Sequence, residues 1–320
     1  MPLIDSSTYQ AKGIFKWASV NTIYPALFRV IPELGYIRER IHTPDGDFLD
    51  LDWSRIGSKK IVLVLHGLEG QADRPYVKGM IRHFNENGWD GLGMNYRGCS
   101  GEPNLKLRSY HMAATADVAL VVNHIITKYD YDELAIVGFS LGGNLTLRYL
   151  AEIAINPPAV LKKAVAFSVP CDISSANIEI HRWHNYLYLR RFLKSLNQKI
   201  QFKAQQFPEE LKLPPRLPRT FYEFDDRFTG PMHGYVNGAD YYQKASSLPI
   251  LASIKTPVLL VNAQDDTFLS PACYPIKIAK QSDFFFLEMP AHGGHVGFAH
   301  FGSDKNYWSE RRAFSFITSG

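Results

Sequence analysis

Cysteine is scarce in this chain: Cys99, Cys171 and Cys273 are an odd number at unrelated spacings among 320 residues. They provide neither a disulfide framework nor a zinc-ligand pattern, and they fit a reducing compartment. An excess of charge is missing too. With 35 basic and 31 acidic residues, a formal charge of +4 and no run of like charges, the chain gives no reason to expect nucleic acid as a partner. No stretch approaches 18 consecutive apolar residues, which excludes a transmembrane helix. Residues Met1 to Gln10 contain Asp5 and lack a basic region followed by an apolar one, so no signal peptide is expected. A cytoplasmic location is the resulting expectation. Apolar residues are not in short supply: 46% hydrophobic and 21% charged is ordinary globular usage, which rules out disorder, collagen and coiled coils. The length corresponds to about two ordinary domains, or to one α/β domain carrying an insertion.

Short apolar, β-branched runs bounded by glycine recur at Ile61 to Leu65, Gly91 to Asn95, Leu134 to Val137, Ala164 to Val169, Val258 to Asn262 and Phe284 to Met289. Such runs suit strands buried on both faces. Helical patterns lie between the early ones, at Tyr76 to Glu86, Ala113 to Lys128 and Leu141 to Ile155, the last stopped by Asn156, Pro157 and Pro158. The alternation predicts an α/β fold with a mostly parallel central sheet flanked by helices, preceded by a hairpin of Tyr36 to His42 and Phe48 to Trp53 around Pro44, Asp45 and Gly46. Between Cys171 and Ser253 the rhythm fails, with a helix-like stretch from Ile180 to Leu196 and a proline-rich segment from Pro208 to Pro218. We read 171–253 as a helical cap over the carboxyl ends of the strands, and 1–170 with 254–320 as the core domain. The apolar segment Ile14 to Ile31, interrupted by Pro25, has the composition of a membrane-surface helix, but its sparse charges make packing against the protein's own body the expectation.

Gly138, Phe139, Ser140, Leu141 and Gly142 match the pattern G-x-S-x-G, with a strand pattern before them and a helix pattern after. A sharp turn there strains the serine backbone and leaves no room for side chains at Gly138 and Gly142, and it sets Ser140 at a helix amino terminus. A serine hydroxyl needs a base against it and an acid behind the base, in the chain order Ser, acid, His. The strand Val258 to Asn262 leads into Asp265 and Asp266, and the strand Phe284 to Met289 leads into His292 and His295. Asp266 and His295 are the candidates, with Asp265 and His292 as alternatives. Two backbone N–H groups are needed for the oxyanion: Leu141, directly after the serine, and Leu68, in the loop His66-Gly67-Leu68-Glu69-Gly70. His66 is read as structural, since the base role is already filled, and Cys99 as packing, since no ordered histidine and acid are left for it. The histidines His181, His184, His292, His295 and His300 lack the accompanying spacing of a metal site.

On these segments the chain resembles the YheT-like family of α/β hydrolases. The likeness rests on His66 to Gly70, on Asn95-Tyr96-Arg97-Gly98-Cys99-Ser100-Gly101-Glu102-Pro103-Asn104, on Gly138 to Asn144 and on Gly293-Gly294-His295-Val296-Gly297-Phe298. Asn21-Thr22-Ile23, Glu223-Phe224-Asp225 and Asp240-Tyr241-Tyr242 extend it over nearly the whole chain. The resemblance implies the α/β-hydrolase fold and a Ser, Asp, His set acting on carboxylic esters, with eukaryotic relatives acting on acylglycerols or phospholipids. It also selects Asp266, because Asp266-Thr267-Phe268 aligns with the family's Asp-Pro-Phe; Thr267 departs from that pattern and is expected to loosen the turn slightly. Tyr110-His111-Met112-Ala113 departs where the family has Ser-Gly after Tyr-His. Arg97 and Glu102 are expected to pair and hold their loop.

The expected activity is a serine hydrolase working without a cofactor or metal on a small-molecule or lipid ester. Short-to-medium acyl esters come first, acylglycerol or phospholipid hydrolysis second, and a non-catalytic binding module is the rival from another class. Trp183, Tyr186, Phe221 and Tyr222 in the cap are the expected contacts for an apolar acyl chain, since each buried methylene contributes about 0.8 kcal/mol.

Overall fold

Alternation along the central strands decides how the core is built. In the strand Lys60–Leu65 (β4), Ile61, Leu63 and Leu65 belong to one apolar layer, while Val62 and Val64 belong to the layer on the other face, as a two-residue period requires. A strand buried on both sides needs helices on both sides, and the chain provides them. The computed structural model describes residues 2–300 and 306–319. In it the strands are Leu3–Ile4 (β1), Ile37–His42 (β2), Phe48–Ser54 (β3), β4, Asp90–Asn95 (β5), Glu133–Phe139 (β6), Leu161–Phe167 (β7), Val258–Val261 (β8) and Phe285–Glu288 (β9). The helices are Ala18–Phe28 (α1), Pro75–Glu86 (α2), Thr115–Lys128 (α3), Leu141–Glu152 (α4), Ile173–Ile180 (α5), Tyr186–Gln206 (α6), Phe221–Phe224 (α7), Gly230–Met232 (α8), Gly238–Ala245 (α9), Ile276–Gln281 (α10) and Trp308–Thr318 (α11).

The sheet runs in the order β1-β9-β8-β7-β6-β4-β5-β3-β2. The β2–β3 hairpin and the β3–β5 pair are antiparallel and every other pairing is parallel. Helices α3 and α4 cover one face through Val118, Val121, Leu145 and Leu150, and α2 and α11 cover the other through Met80, Phe84, Ala313 and Phe316. The six strand runs and the three helical patterns read from the sequence are all present. The edge strand β1, only two residues long, is too short for a periodic signal.

Residues 173–253 are helices and connections, and they carry an apolar cluster of their own, formed by Leu189, Leu193, Ile200, Leu211, Phe224 and Phe228. The helix-like stretch Ile180 to Leu196 is divided in the structure. It breaks between α5 and α6 because Asn185 turns its side chain to the carbonyls of Glu179 and Thr267. At its far end this segment is fastened to α4 by Asn144, whose amide donates to the carbonyls of Met112 (2.8 Å) and Ala245 (3.0 Å) and whose oxygen accepts from the Ser247 N–H (3.1 Å).

The expected pair of Arg97 with Glu102 does not form. Arg97 is buried and donates in bidentate fashion to Asp117 (2.8 Å for each bond) and through Nη1 to Asp45 (2.7 Å), whereas Glu102 lies at the surface against Arg40 (2.7 Å). A buried guanidinium needs several fixed carboxylate oxygens, and the hairpin turn and α3 supply them while an exposed glutamate does not. Asp47 closes the network by accepting from the N–H groups of Leu105 and Lys106 and from Asn104. Replacing Arg97 by alanine leaves these carboxylates unpaired and is expected to lower stability by about 3 kcal/mol in a urea titration, with Glu102→Ala leaving the midpoint unchanged.

Candidate active site

Strand β6 passes directly into α4 through Ser140, whose backbone is held at φ 53° and ψ −114°, a conformation that an L-residue adopts only when its surroundings impose it. Two glycines make the turn possible. A Cβ on Gly138 would stand 2.4 Å from the Gly142 carbonyl oxygen, and one on Gly142 would stand 2.4 Å from the Leu65 carbonyl oxygen. The serine thus sits at the tip of a turn pressed against the end of β4.

His295 Nε2 lies 2.9 Å from Ser140 Oγ, and His295 Nδ1 lies 2.8 Å from Asp266 Oδ2. The three side chains, from the ends of three strands, form one hydrogen-bonded line. The Asp266 side chain is fully buried, and its other oxygen accepts the Phe268 N–H at 3.0 Å. The Phe268 ring stacks on the imidazole with centroids 4.3 Å apart, fixing the plane in which the imidazole can work. The alternatives Asp265 and His292 pair with each other at 3.3 Å, away from the serine, and Asp265 also accepts the Gly294 N–H at 2.9 Å. Burial raises the Asp265 carboxyl above its usual range.

The loop 66–70 lies alongside: a Cβ on Gly67 would come within 3.3 Å of Ser140 Cβ. The amides of Leu68 and Leu141 have no hydrogen-bond partner among the described residues, so both remain available to a developing oxyanion. His66 is completely buried with Nδ1 2.7 Å from the Gly67 carbonyl, and burial pushes its pKa down to about 3, so it is a neutral, structural imidazole. Cys99 is buried and its thiol is pushed up to about 11, too high for a nucleophile at neutral pH.

Several positioning residues escaped the sequence reading. Glu69, at φ 53°, accepts from Tyr110 Oη (2.5 Å) and Lys199 Nζ (2.9 Å) on one oxygen and from Ser195 Oγ on the other. Burial alone would raise its carboxyl, but the Lys199 charge and these donors hold it below the usual range. Tyr110, in the loop that departs from the family pattern, therefore staples the loop bearing Leu68. Thr22 of α1 accepts the His295 N–H at 2.9 Å, and Ser168 accepts the Val296 N–H at 2.9 Å. Thr267, expected to loosen its turn, instead donates to Asn185 (2.7 Å) and accepts from it through its carbonyl (2.7 Å). A lone serine or threonine hydroxyl carries no spacing signal, so the contacts of Thr22, Ser168 and Thr267 leave no trace in the sequence even though all three stand inside segments singled out for other reasons.

Above the line lies a cavity of about 900 Å³, walled by Leu68, Phe192, Phe224, Phe228 and Phe268. Of the four aromatic residues expected to meet an acyl chain, Phe221 lines this cavity, whereas Trp183 (87% exposed), Tyr186 and Tyr222 face outward. Helix α6 turns its Leu189, Phe192 and Leu193 side inward, leaving Tyr186 and the preceding Trp183 exposed. Among the described residues no group of three His, Cys, Asp or Glu side chains is arranged to hold a metal ion.

The alpha/beta hydrolase fold family matches residues 60–300. Escherichia coli YheT, named as a candidate esterase, is 33% identical over 293 residues, 89% of this chain and 85% of that protein. Phospholipase ABHD3 of Mus musculus is 34% identical over 278 residues, 83% of this chain and 67% of that protein. Among solved structures, the Pyrococcus furiosus esterase Pf2001 shares the fold at a TM-score of 0.59 and 18% identity, covering 90% of this chain and 97% of its own.

Asp225 lines the same cavity, and burial pushes its carboxyl up to about 6 against the lowering effect of hydrogen bonds from Thr229 and Tyr242. A carboxyl whose pKa is raised by folding favours the native state below its unfolded value near 4 and loses that contribution as pH rises through 6. Asp225→Asn is therefore expected to gain about 1–2 kcal/mol on the native protein between pH 4 and pH 7, measured by denaturant unfolding at each pH.

Proposed function

Because the chain belongs to the YheT-like family of α/β hydrolases, we propose that it is a serine esterase cleaving carboxylic esters through an acyl-enzyme. The observation that carries the reading is the unbroken line from Ser140 Oγ through His295 to the buried Asp266. In this reading Ser140 attacks the ester carbonyl while His295 Nε2 takes its proton. Asp266 keeps the Nδ1–H tautomer in place and stabilises the imidazolium. The amides of Leu68 and Leu141 receive the charge that grows on the carbonyl oxygen, and His295 then hands its proton to the leaving alcohol. Water, deprotonated by the same imidazole, releases the acid and restores the serine.

The cap, residues 171–253, supplies the acyl wall, with Phe221 retained from the expected contacts and Phe192, Phe224 and Phe228 added from the cavity. Short-to-medium acyl esters remain the first substrate class. One observation favours a second reading, longer-chain acylglycerols or phospholipids: the 900 Å³ cavity reaches from Ser140 to the cap cluster, more than a short acyl group fills. The three cysteines are unpaired and buried, which keeps a cytoplasmic setting as part of the proposal.

Ser140→Ala is expected to lower kcat by at least about a thousandfold on a chromogenic ester and to abolish labelling by a fluorophosphonate probe, with the unfolding midpoint unchanged. A native protein that takes no label would leave the non-catalytic module standing. Kinetics over p-nitrophenyl esters of increasing acyl length separate the two substrate readings by the position of the kcat/KM maximum. Glu69→Ala frees the loop bearing Leu68 and is expected to cut kcat by about tenfold or more, with KM nearly unchanged, because the oxyanion contact exists only in the transition state.

A further inference from the structure

The amino-terminal helix α1 has two unlike faces. Its inner face is part of the site: Asn21 is completely buried and accepts the Ala299 N–H, and Thr22 accepts the His295 N–H. Its outer face is apolar and bare, with Ile23, Leu27 (64% exposed) and Val30 on one side and Trp17 (68% exposed) and Phe28 beside them. Sequence reading expects this segment to pack on the body, and only half of it does.

The start of α6 borders the same cavity as α1. Ile23, Leu27, Leu187 and Arg191 all border the same cavity, so both helices contribute to its edge. Leu187 is 76% exposed, with Trp183 and Tyr186 beside it. The charges are one-sided: residues 6–32 and 180–208 contain no aspartate or glutamate. Lys16, Arg190, Arg191 and Lys194 are exposed on these segments and have no carboxylate partner among the described residues. Exposed Trp, Leu and Phe ringed by unpaired Lys and Arg is the composition of a surface that enters the interface of an anionic bilayer.

We infer that the rim formed by α1 and the start of α6 docks this protein on the surface of an anionic lipid bilayer, with the mouth of the cavity turned toward the lipid. A second copy of the chain fits the same surface poorly. A two-fold contact would set the basic face of α6 against itself and would cover the mouth that leads to Ser140. The inference adds to the proposed ester hydrolysis a source for the acyl chain and rests on that reading for this alone, since docking is measured without turnover.

The chain is built for the measurement. Of its five tryptophans, Trp53, Trp89 and Trp308 are buried, and Trp17 and Trp183, next to the two helices that border the cavity, are the two that are exposed. Adding vesicles of phosphatidylcholine mixed with phosphatidylglycerol is expected to blue-shift the emission and to float the protein with the vesicles. Pure phosphatidylcholine, or the mixed vesicles in high salt, should bind about tenfold less. Arg190→Glu with Lys194→Glu, and separately Trp17→Ser with Trp183→Ser, should each lose flotation while hydrolysis of a water-soluble short ester is retained. Ser140→Ala should float like the native protein. Equal partition of native protein and rim variants overturns the inference, as does equal affinity for neutral and anionic vesicles, or a self-association in buffer that already shields the exposed tryptophans. An esterase that fails to float refutes docking alone, and a floating protein without Ser140-dependent turnover refutes the ester reading alone.

Discussion

The close approach of the α4 amino terminus to the end of β4 is the contact on which the remaining geometry depends. Gly142 sits so near the carbonyls of Leu65 and His66 that any side chain there would enter the backbone of the neighbouring strand. This contact holds Ser140 in the left-handed region and welds the turn after β6 to the loop after β4. Ser140 and the amides of Leu68 and Leu141 are thereby set relative to each other by main chain, which has far fewer ways to drift than side chains do. The strain at Ser140 persists because the parallel pairing of β4 with β6, from Lys60 opposite Glu133 to Leu65 opposite Gly138, leaves the turn no alternative course.

From that fixed point the site is completed by residues arriving from far away in the chain. Thr22 holds the His295 backbone through its N–H and Phe268 stacks on the ring, so the residue is fixed from α1 at its main chain and from the loop of Asp266 at its imidazole. The acid–histidine duplication then resolves physically. Asp266 is enclosed and points to the imidazole that reaches the serine, while Asp265 accepts the Gly294 N–H and shapes the loop that carries His295. One carboxylate serves the line and its neighbour serves the scaffold.

Much of this was legible before any coordinates. Buried β-branched runs, the glycine pair around Ser140, and acid and histidine after successive strands are signals of period and order, and the strands, the elbow and the hydrogen-bonded line follow them. What stayed hidden depends on which way a side chain turns. Trp183 and Tyr186 read as acyl contacts because an aromatic segment suits an apolar chain, but both are exposed, and Phe192 of α6 lines the cavity instead. Arg97 read as a partner of Glu102 because the two are near in sequence, whereas burial demanded the carboxylates of Asp45 and Asp117, brought in by the hairpin and α3. Loop staples such as Glu69 with Ser195 depend on distant partners and leave no local pattern.

Helix α6 and the turn before it connect both halves of the site. In the loop after β4, Ser195 and Lys199 hold Glu69, one residue beyond Leu68. On the acid side, Asn185 holds Thr267, one residue beyond Asp266, in a reciprocal pair of hydrogen bonds. A proline at 267 has no hydroxyl to offer Asn185, so Thr267 ties the loop after β8 to the turn before α6 by one hydrogen bond more than proline would. A displacement of α6 large enough to widen the cavity mouth must break these bonds or carry both loops with it. The α6 side of the cavity and the two loops that flank Ser140 are therefore mechanically one unit, and the start of α6 is the part of that unit exposed to solvent.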